Sequence, residues 1–251
     1  MIPENHPRYE SLLLREKIKN AFEEGYLAES GMIAHGRGEA FDYFLGEETN
    51  YPAKRAMYAS VAQLLLANNP VISVNGNTVA LSIDEIIELA RTLNAEIEIN
   101  LFYRTKERVE KIVELFESKG WENILGDNNE KLKYINDITS PRATASSKGI
   151  YISDAVLIPL EDGDRAEILS KTNKKIITID LNPLSRTSQK SDISIVDNIS
   201  RAIPFMNKIA RDLKNQPKGV LEQIIDDYSN IDNLKESLSS FKITGDIKWI
   251  F

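Results

Sequence analysis

The stretch Ile176-Ile177-Thr178-Ile179-Asp180-Leu181-Asn182-Pro183-Leu184-Ser185-Arg186-Thr187 begins as an apolar run and ends as a cluster of polar residues. A second run, Ile193-Ser194-Ile195-Val196, ends in the same way at Asp197-Asn198. Such runs are typical of buried parallel strands, and in open α/β sheets ligands bind in the crevice beyond the carboxyl ends of these strands. The stretch therefore predicts two strands with a ligand site, suited to a nucleotide, at their ends.

The composition is typical of a globular protein. Of the 251 residues, 42% are hydrophobic and 27% are charged, which is enough to bury a substantial core. No apolar run approaches the roughly 18–20 residues that cross a bilayer, and the first residues lack the apolar segment of a signal peptide. We therefore expect a soluble, cytoplasmic protein without a membrane partner.

The residue types that are rare or missing in the chain exclude several kinds of chemistry. It has no cysteine and only two histidines, His6 and His35, which excludes disulfides, thiolate chemistry and Cys/His zinc sites. Any metal ion must then be a hard cation on oxygen ligands. The net charge of -7 and the absence of a Lys/Arg run argue against nucleic-acid binding, so phosphate binding must be local.

Helical and strand patterns alternate along the chain. Helices are predicted over 9–24, 51–68, 105–119, 165–171 and 200–215, and from a capping box at Ser82-Ile83-Asp84-Glu85 to about Leu93. Strands are predicted over 71–74, 96–101 and 155–160, besides the two runs above. Residues 126–148 have no clear period and are predicted as a loop. Alternation of this kind predicts right-handed crossovers and a mostly parallel sheet.

The expected fold is thus a Rossmann-like α/β domain, a mostly parallel sheet flanked by helices, with added N- and C-terminal helices. We expect one domain over 1–251, with an N-terminal helical part at 1–68, a nucleotide-binding core at 69–215 and a C-terminal helical tail at 216–251. At the end of the tail, Ile247, Trp249 and Phe251 would share one face of a short strand.

The common nucleotide fingerprints are missing. Gly36-Arg37-Gly38 starts like a dinucleotide loop, but Phe41 stands where the third glycine belongs. No G-x-x-x-x-G-K-[ST] motif occurs, which excludes a P-loop NTPase. Phosphate groups must therefore be bound by arginines and backbone amides in a less common arrangement.

Five sequence blocks, in order, carry a family resemblance: Ala34-His35-Gly36-Arg37-Gly38-Glu39-Ala40-Phe41-Asp42-Tyr43, Pro70-Val71-Ile72-Ser73-Val74-Asn75-Gly76-Asn77, Asn100-Leu101-Phe102-Tyr103-Arg104-Thr105, Pro159-Leu160-Glu161-Asp162-Gly163-Asp164-Arg165 and Ile179-Asp180-Leu181-Asn182-Pro183-Leu184-Ser185-Arg186. Together they closely resemble archaeal phosphopantothenate synthetase, also called 4-phosphopantoate–beta-alanine ligase. The resemblance runs from His6 to about Pro204 and fails over 126–148 and in the C-terminal tail.

The resemblance implies an ATP-dependent ligase of coenzyme A biosynthesis that works as a homodimer. It would join 4-phosphopantoate to beta-alanine through an acyl-adenylate, releasing AMP and diphosphate. The residues that the resemblance places at the nucleotide are Arg15, Arg37, Asp180, Leu181, Asn182, Arg186, Thr187, Asn198 and Ile199.

Several of these residues also suggest roles by their own chemistry. Arg186 with the hydroxyls of Ser185 and Thr187 can clamp phosphate oxygens, and Asp180 or Asn198 can bind the ribose or the adenine edge. The alternatives are a strand-ending turn at Asn182-Pro183, a helix cap at Asn198, and a solvated helix face for Arg15.

The acyl substrate has its own candidates, namely His35, Asn75, Asn77, Tyr103, Arg104 and Arg142. The block from His35 to Tyr43 is interpreted as the start of a helix, whose glycines leave amides free for anionic oxygens and whose Arg37 faces the developing charge on phosphorus. Arg104 and Arg142 would hold the substrate phosphate. The alternatives are a structural role for His35, a hairpin turn at Asn75-Gly76, and surface charge for the two arginines.

Three carboxylates crowd Glu161-Asp162-Gly163-Asp164. Clustered carboxylates repel one another unless a cation lies among them, so Asp162 and Asp164 are expected to bind the Mg²⁺ that accompanies ATP. Glu161 or Asp162 can accept the proton of the beta-alanine ammonium, which makes them, with Arg37, the catalytic candidates. The alternative is an Asp-Gly turn in which Asp164 caps the next helix.

Two other functions use the same residue types. An ATP-dependent small-molecule kinase would yield ADP rather than AMP, and a nucleotide-binding sensor would bind ATP without turnover. The nucleotide product separates the three possibilities.

Overall fold

The computed structural model describes residues 3–6, 8–135 and 140–241. Seven strands lie in this part of the chain: β1 (Pro70–Val74), β2 (Glu96–Ile99), β3 (Lys133–Tyr134), β4 (Thr144–Ala145), β5 (Ala155–Leu157), β6 (Lys175–Ile179) and β7 (Ile193–Ile195). Five of them form one parallel sheet in the order β2-β1-β5-β6-β7, and β3 pairs with β4 in a small antiparallel ribbon.

The helices of the described residues precede, separate and follow these strands. They are α1 (Tyr9–Glu23), α2 (Glu29–Leu45), α3 (Tyr51–Leu66), α4 (Gly76–Leu93), α5 (Lys106–Ser118), α6 (Gly163–Ser170), α7 (Arg186–Lys190), α8 (Ile199–Leu213), α9 (Lys218–Asp226) and α10 (Asn230–Ser239). The expected Rossmann-like parallel sheet with added N- and C-terminal helices is confirmed. Within the described ranges, no helix has the length and apolarity that a membrane span requires.

The two faces of the sheet are covered differently, because successive residues of a strand point to opposite sides. Ile72, Leu157 and Ile177 join the main core with α3, α4 and α8. Val71 and Val156 face the other way, against α6 and the segment that precedes β5.

The strand order decides where a ligand can bind. After β1 the chain moves to one side to form β2, and after β2 it returns to the other side of β1 to form β5. The connections that leave β1 and β5 therefore diverge and open a crevice between their carboxyl ends, which is the position at which doubly wound sheets bind ligands. Asn75 follows β1 at this crevice, and Glu161 follows β5.

Polar side chains hold together the turns at the amino-terminal ends of the strands, on the side of the sheet away from the crevice. The carboxylate of Asp154 accepts hydrogen bonds from the backbone N–H groups of Asn68, at 2.7 Å, and Asn69, at 2.8 Å. Lys174 donates to the carbonyls of Tyr151 and Ser153. These bonds join the turns that enter β1, β5 and β6.

Two sequence predictions about helices were wrong. The block from His35 to Tyr43 does not start a helix but lies inside α2, because its two glycines are tolerated in mid-helix. The helix expected from Ser82 begins at Gly76, and Ser82 is a kink within it, with φ -151° and ψ 31°. Among the residues that the structure describes, the Ser82 hydroxyl has no hydrogen-bond partner, so the predicted capping box there is not formed.

Other expectations are met or fall outside the described residues. Thr105 caps α5, and α8 accommodates Pro204. The segment 126–148, predicted as a loop, contains the ribbon of β3 and β4 and a short 3-10 turn at Pro141–Ala143. The predicted strand at Ile247, Trp249 and Phe251 lies outside the described residues.

Candidate active site

The crevice at the switch point holds a cleft of about 370 Å³, which we call the main cleft. Its walls come from α2, the first turns of α4 and α8, and the segments that follow β5 and β6. Nine predicted site residues line it: His35, Arg37, Asn77, Glu161, Asp180, Leu181, Asn182, Asn198 and Ile199.

A second, narrow pocket of about 20 Å³ lies beyond Glu161, and we call it the arginine pocket. Polar residues that line it are Asn100, Arg104, Arg142, Thr144, Asp162 and Arg165, together with Glu161. Glu161 thus faces both spaces and is the side chain that joins them.

Glu161 is presented by an unusual backbone. The preceding residue, Leu160, has φ +52°, in the left-handed region that non-glycine residues rarely adopt. Asn75 stabilises this conformation, because its Nδ2 donates to the carbonyls of Pro159 and Leu160. Thr187 supports it from the other side by donating its hydroxyl to the Glu161 carbonyl at 2.9 Å.

The chemistry of Glu161 is set by its surroundings. Burial of its side chain raises the pKa of Glu161 from 4.5 to about 7, although the positive charge of Arg165 acts in the opposite direction. A carboxyl group with a pKa near neutrality can accept a proton at one stage of a reaction and release it at the next.

The cluster after β5 contains cations, but they are guanidinium groups. Asp162 caps α6 with one oxygen and accepts from Nε of Arg142 with the other, at 2.8 Å. Asp164 forms ion pairs with Arg142 and Arg186. The expected Mg²⁺ site at Asp162 and Asp164 is therefore not supported, and the described part of the chain holds no group of three or more residues suited to a metal ion. The predicted helix cap is present, at Asp162 instead of Asp164.

Two hydroxyls and two arginines that were predicted to bind the nucleotide have partners within the protein. Thr187 is 2% exposed and its hydroxyl donates to the Glu161 carbonyl, while the Ser185 hydroxyl donates to Asp180. The phosphate clamp with Ser185 and Thr187 stays a prediction, and it would require these hydroxyls to exchange their partners. Arg186 does not line the main cleft, because it is held at its border by Asp164 and Glu167. Arg15 stands one residue away from the cleft and binds Glu39, which lines it.

The segment after β6 forms a local turn and a cleft wall together. The carboxylate of Asp180 accepts from the N–H of Asn182 and the hydroxyl of Ser185, so the strand-ending turn is confirmed. Burial raises the pKa of Asp180. Asn182 and Ser185 nevertheless line the cleft, as the site interpretation also required.

Asn198 is a helix cap in this structure. Its Oδ1 accepts from the N–H of Ser200, and its Nδ2 donates to Asp42 on α2 at 2.9 Å. The capping alternative is confirmed. The predicted contact of the Asn198 side chain with ribose or adenine stays a prediction, since Asn198 lines the cleft and Nδ2 has a second N–H besides the one that binds Asp42. Ile199 adds an apolar wall beside it.

Helix α2 supplies His35 and Arg37 to the cleft, but not free amides, since its backbone N–H groups belong to a continuous helix. Burial lowers the pKa of His35, and its Nε2 is buried without a hydrogen-bond partner among the described residues. Arg37 forms no ion pair with any residue that the structure describes, so its charge is available to a ligand.

The asparagines after β1 start α4. Asn75 caps the helix, with Thr78 completing the capping box, so the hairpin-turn alternative is wrong. Asn77 donates to the Gly31 carbonyl of α2 and lines the main cleft. Asn75 acts on the site only through the backbone before Glu161.

Arg104 and Arg142 both line the arginine pocket, whereas Tyr103 points to solvent and lies outside it. Arg104 is half-buried and donates to the carbonyls of Gly126 and Asp127, and burial lowers its pKa. It forms no ion pair within 3–6, 8–135 and 140–241. Arg142 stacks over the ring of Phe102 at 4.0 Å and closes the pocket.

Two buried charged groups that shape this pocket were not predicted from the sequence. Arg165 is 4% exposed and donates to the carbonyls of Arg142 and Thr144. Glu98, on β2, accepts from the N–H groups of Ser146 and Ile150 and anchors the same segment to the sheet. Only the three-dimensional contacts reveal these roles, because a charged residue in a helix or strand pattern is usually on the surface.

Comparison with known proteins shows the family to which the chain belongs. Residues 52–244 match the sequence model of the family described as phosphopantothenate/pantothenate synthetase. Three relatives bear the name 4-phosphopantoate--beta-alanine ligase. The protein of Thermococcus onnurineus is 53% identical over 238 residues, 94% of this chain and 90% of the relative. Those of Thermococcus kodakarensis (52%; 94% and 90%) and Methanosarcina mazei (48%; 96% and 94%) are nearly as similar. The chain therefore belongs to the phosphopantothenate/pantothenate synthetase family.

Proposed function

We propose that this protein is an ATP-dependent ligase that joins 4-phosphopantoate to beta-alanine and releases AMP and diphosphate, as a step of coenzyme A biosynthesis in the cytoplasm. The names of its relatives support the reaction. The observation that carries the assignment is the place of Glu161, which faces both a cleft of nucleotide size and a pocket lined by arginines.

The reaction proceeds in two steps in this proposal. A carboxylate oxygen of 4-phosphopantoate attacks the α-phosphorus of ATP, and diphosphate leaves. The beta-alanine ammonium then gives one proton to Glu161, and its nitrogen attacks the acyl carbon of the adenylate. AMP leaves, and the nitrogen gives its second proton to the departing phosphate group, so that an amide with one N–H remains. Glu161 finally returns the proton to solvent, which its pKa near 7 permits.

ATP occupies the main cleft. Leu181 and Ile199 offer apolar surface to the base, and Asn182 offers its amide to the nucleotide. Arg37 projects from α2 without an ion-pair partner in the described ranges, and it would stabilise the negative charge that develops on the α-phosphate. Arg186 would leave Asp164 to bind the phosphate groups, because a phosphate is a stronger partner for a guanidinium than one carboxylate.

The phosphate of 4-phosphopantoate is bound by Arg104 and Arg142 at the arginine pocket. Arg104 is half-buried and donates its hydrogen bonds to backbone carbonyls, so its positive charge can attract an anion although Asp127, Glu98 and Glu130 lie in its neighbourhood. Arg142 fills the entrance while it binds Asp162 and Asp164, so it must move from these carboxylates when the phosphate enters. His35 and Asn77 then border the pantoate chain on the side of the main cleft.

Mg²⁺ enters with ATP in this proposal, held mainly by phosphate oxygens, as is usual for magnesium nucleotides. The carboxylates of Asp162 and Asp164 are already bound to arginines and to the start of α6. The ion would neutralise phosphate charge.

The protein is proposed to form a homodimer through α2. Of the 17 residues of this helix only Asp42 and Leu45 are buried, and Ile33 and Phe44 present large apolar surfaces. A second copy is the occupant we propose, because Arg15, expected at the nucleotide, lies next to this face and outside the cleft of its own chain. Light scattering of the parent and of Ile33→Lys tests this proposal, with a monomeric variant expected.

The reaction itself is tested by mixing the protein with Mg-ATP, 4-phosphopantoate and beta-alanine, and by omitting each in turn. We expect AMP and 4-phosphopantothenate only in the complete mixture. Mass spectrometry identifies both products. ADP as the nucleotide product, or no product at all, would overturn the assignment.

A further inference from the structure

The most unusual cation in the molecule is Arg165, in the first turn of α6. Its side chain is 4% exposed, and two of its three nitrogens donate hydrogen bonds to three acceptors. Nη1 donates to the carbonyls of Arg142, at 2.8 Å, and Thr144, at 3.1 Å, while Nη2 donates to Oδ1 of Asn100 at 2.6 Å. Nε is buried and has no hydrogen-bond partner among the described residues.

The free N–H of Arg165 is directed at the residue on which the proposed reaction depends. Its Nε lies 3.9 Å from Oε2 of Glu161, close enough for an ion pair and too far for a hydrogen bond. A buried donor without a partner is unfavourable, so such a group calls for an explanation. A shift of about 1 Å in the Glu161 carboxylate would complete the bond.

We propose that Arg165 is a positioning residue for amine activation: its Nε–H binds the Glu161 carboxylate and holds it ready to take the proton of the incoming ammonium. This inference rests on the proposed ligase function. The same guanidinium fixes the carbonyls of Arg142 and Thr144, so the backbone that carries a phosphate-binding arginine and the proton acceptor share one anchor.

The charged neighbours of Glu161 support the assignment of Arg165 as its positioning residue. The charged or titratable groups that face it are Arg165 and Asp162 of α6, Arg142 of the covering segment, Arg104 after β2, Asp180 after β6, and His35, Arg37 and Glu39 of α2 across the cleft. Of the cations in this set, Arg142 is bound to Asp162 and Asp164. Arg165 forms its ion pair with Glu161 alone among the described residues, and it is the deeply buried one.

The test compares the two half-reactions across pH. Exchange of labelled diphosphate into ATP, driven by 4-phosphopantoate, reports the first step and needs no amine. Formation of 4-phosphopantothenate reports both steps. In the parent, product formation should fall below pH about 7, whereas the exchange should not show this acidic limb.

Removal of the charge should move that limb. In Arg165→Gln we expect the acidic limb of product formation to shift to higher pH and kcat to drop at least about 10-fold, with exchange reduced less than about 3-fold. Arg165→Lys should restore the position of the limb. Arg211→Gln, which removes an exposed arginine paired with Glu88, is the matched control and should leave both half-reactions unchanged.

A second variant covers the case in which Arg165→Gln does not fold. Asn100→Asp keeps the shape of the side chain but places a carboxylate 2.6 Å from the Arg165 guanidinium, which should weaken its hold on Glu161 and shift the limb in the same direction. An unmoved limb in the folded variants, or an equal loss in both half-reactions, would overturn the role of Arg165. If the parent forms no AMP from the complete mixture, the ligase assignment itself fails.

Discussion

The side-chain amide of Asn198 donates to the carboxylate of Asp42 at 2.9 Å and thereby joins the first turn of α8 to helix α2 across the main cleft. Arg201 strengthens the connection, because its guanidinium binds both Asp42 and Asp197. Asp42 and Asp197 are buried, so the cluster lies in a region of low dielectric.

Loss of one member of this cluster should be costly. Asp42→Ala leaves the Arg201 charge with a single partner, and we expect the free energy of unfolding in urea to fall by about 3–5 kcal/mol. Arg211→Ala breaks an exposed ion pair with Glu88 and should change it by less than about 1 kcal/mol. Similar losses in both variants would show that the buried cluster does not hold α2 in place.

The raised pKa of Glu161 predicts a pH-dependent stability effect. The folded protein favours the protonated form more than the unfolded chain does, so this group stabilises the fold below pH 4.5 and the contribution is lost as pH rises through about 7. In Glu161→Gln, unfolding free energy relative to the parent should therefore increase by up to about 3 kcal/mol over this interval. Calorimetry at several pH values measures it, and Glu16→Gln, at an exposed position, serves as control. A difference that does not change with pH would contradict the shift.

Gly36 and Gly38, which both lie inside α2, should respond differently to substitution by alanine. A Cβ at Gly36 would meet no atom within 4 Å, so Gly36→Ala should stabilise the protein by about 0.5–1 kcal/mol through helix propensity. Gly38 lines the main cleft, and its added Cβ would lie 3.6 Å from Leu181. Gly38→Ala should fold but raise the KM for ATP several-fold, in steady-state assays. An unchanged KM for ATP would separate Gly38 from the nucleotide.

Asn75 combines a helix cap with support of the backbone before Glu161, and substitution can separate the two. Asn75→Ser keeps an N-cap oxygen but lacks the donor to Pro159 and Leu160, whereas Asn75→Ala loses both functions. We expect the alanine variant to be less stable than the serine variant by about 1 kcal/mol, measured by thermal unfolding. Both should lose kcat, because Glu161 is no longer fixed. Full activity of Asn75→Ser would show that the bonds to Pro159 and Leu160 are not needed.

Arg104 provides a test of the acyl-substrate pocket. Arg104→Ala removes a half-buried cation that lines the arginine pocket, so the KM for 4-phosphopantoate should rise about 10-fold or more while that for ATP changes little. Arg91→Ala, which removes an exposed arginine bound to the Gly120 carbonyl, is the control. Equal effects on both substrates would argue against a dedicated phosphate site.

The strands were predictable because a parallel strand buried on both faces is a short, nearly continuous apolar run. The bounds of helix α2 were not predicted, for the opposite reason. Its sequence contains three glycines, and only Asp42 and Leu45 are buried, so no apolar stripe marks it. The start of α4 was missed because Asn75-Gly76 favours a turn locally, whereas the contact of Gly76 with Tyr26 and Leu27 favours the helix.

The site was predictable where residues follow a strand, as at Asp180 and Glu161, since topology brings strand ends together. Partners that are distant in sequence could not be foreseen. The carboxylates at Asp162 and Asp164 were correctly expected to need positive charge, but Arg142 and Arg186 approach them from 20 or more residues away. The burial of Arg165 could not be foreseen, because it depends on acceptors from two segments that are distant in sequence, one at Asn100 and one at Arg142 and Thr144.

The bonds that Asp154 forms with Asn68 and Asn69 lie at the amino-terminal ends of the strands, away from the main cleft. Residues there hold turns together and touch none of the groups assigned to catalysis. Thermal stability can therefore be engineered at the amino-terminal ends of the strands, for example by shortening or stiffening the turns there. Catalytic turnover can be changed independently at the carboxyl ends, where the main cleft lies.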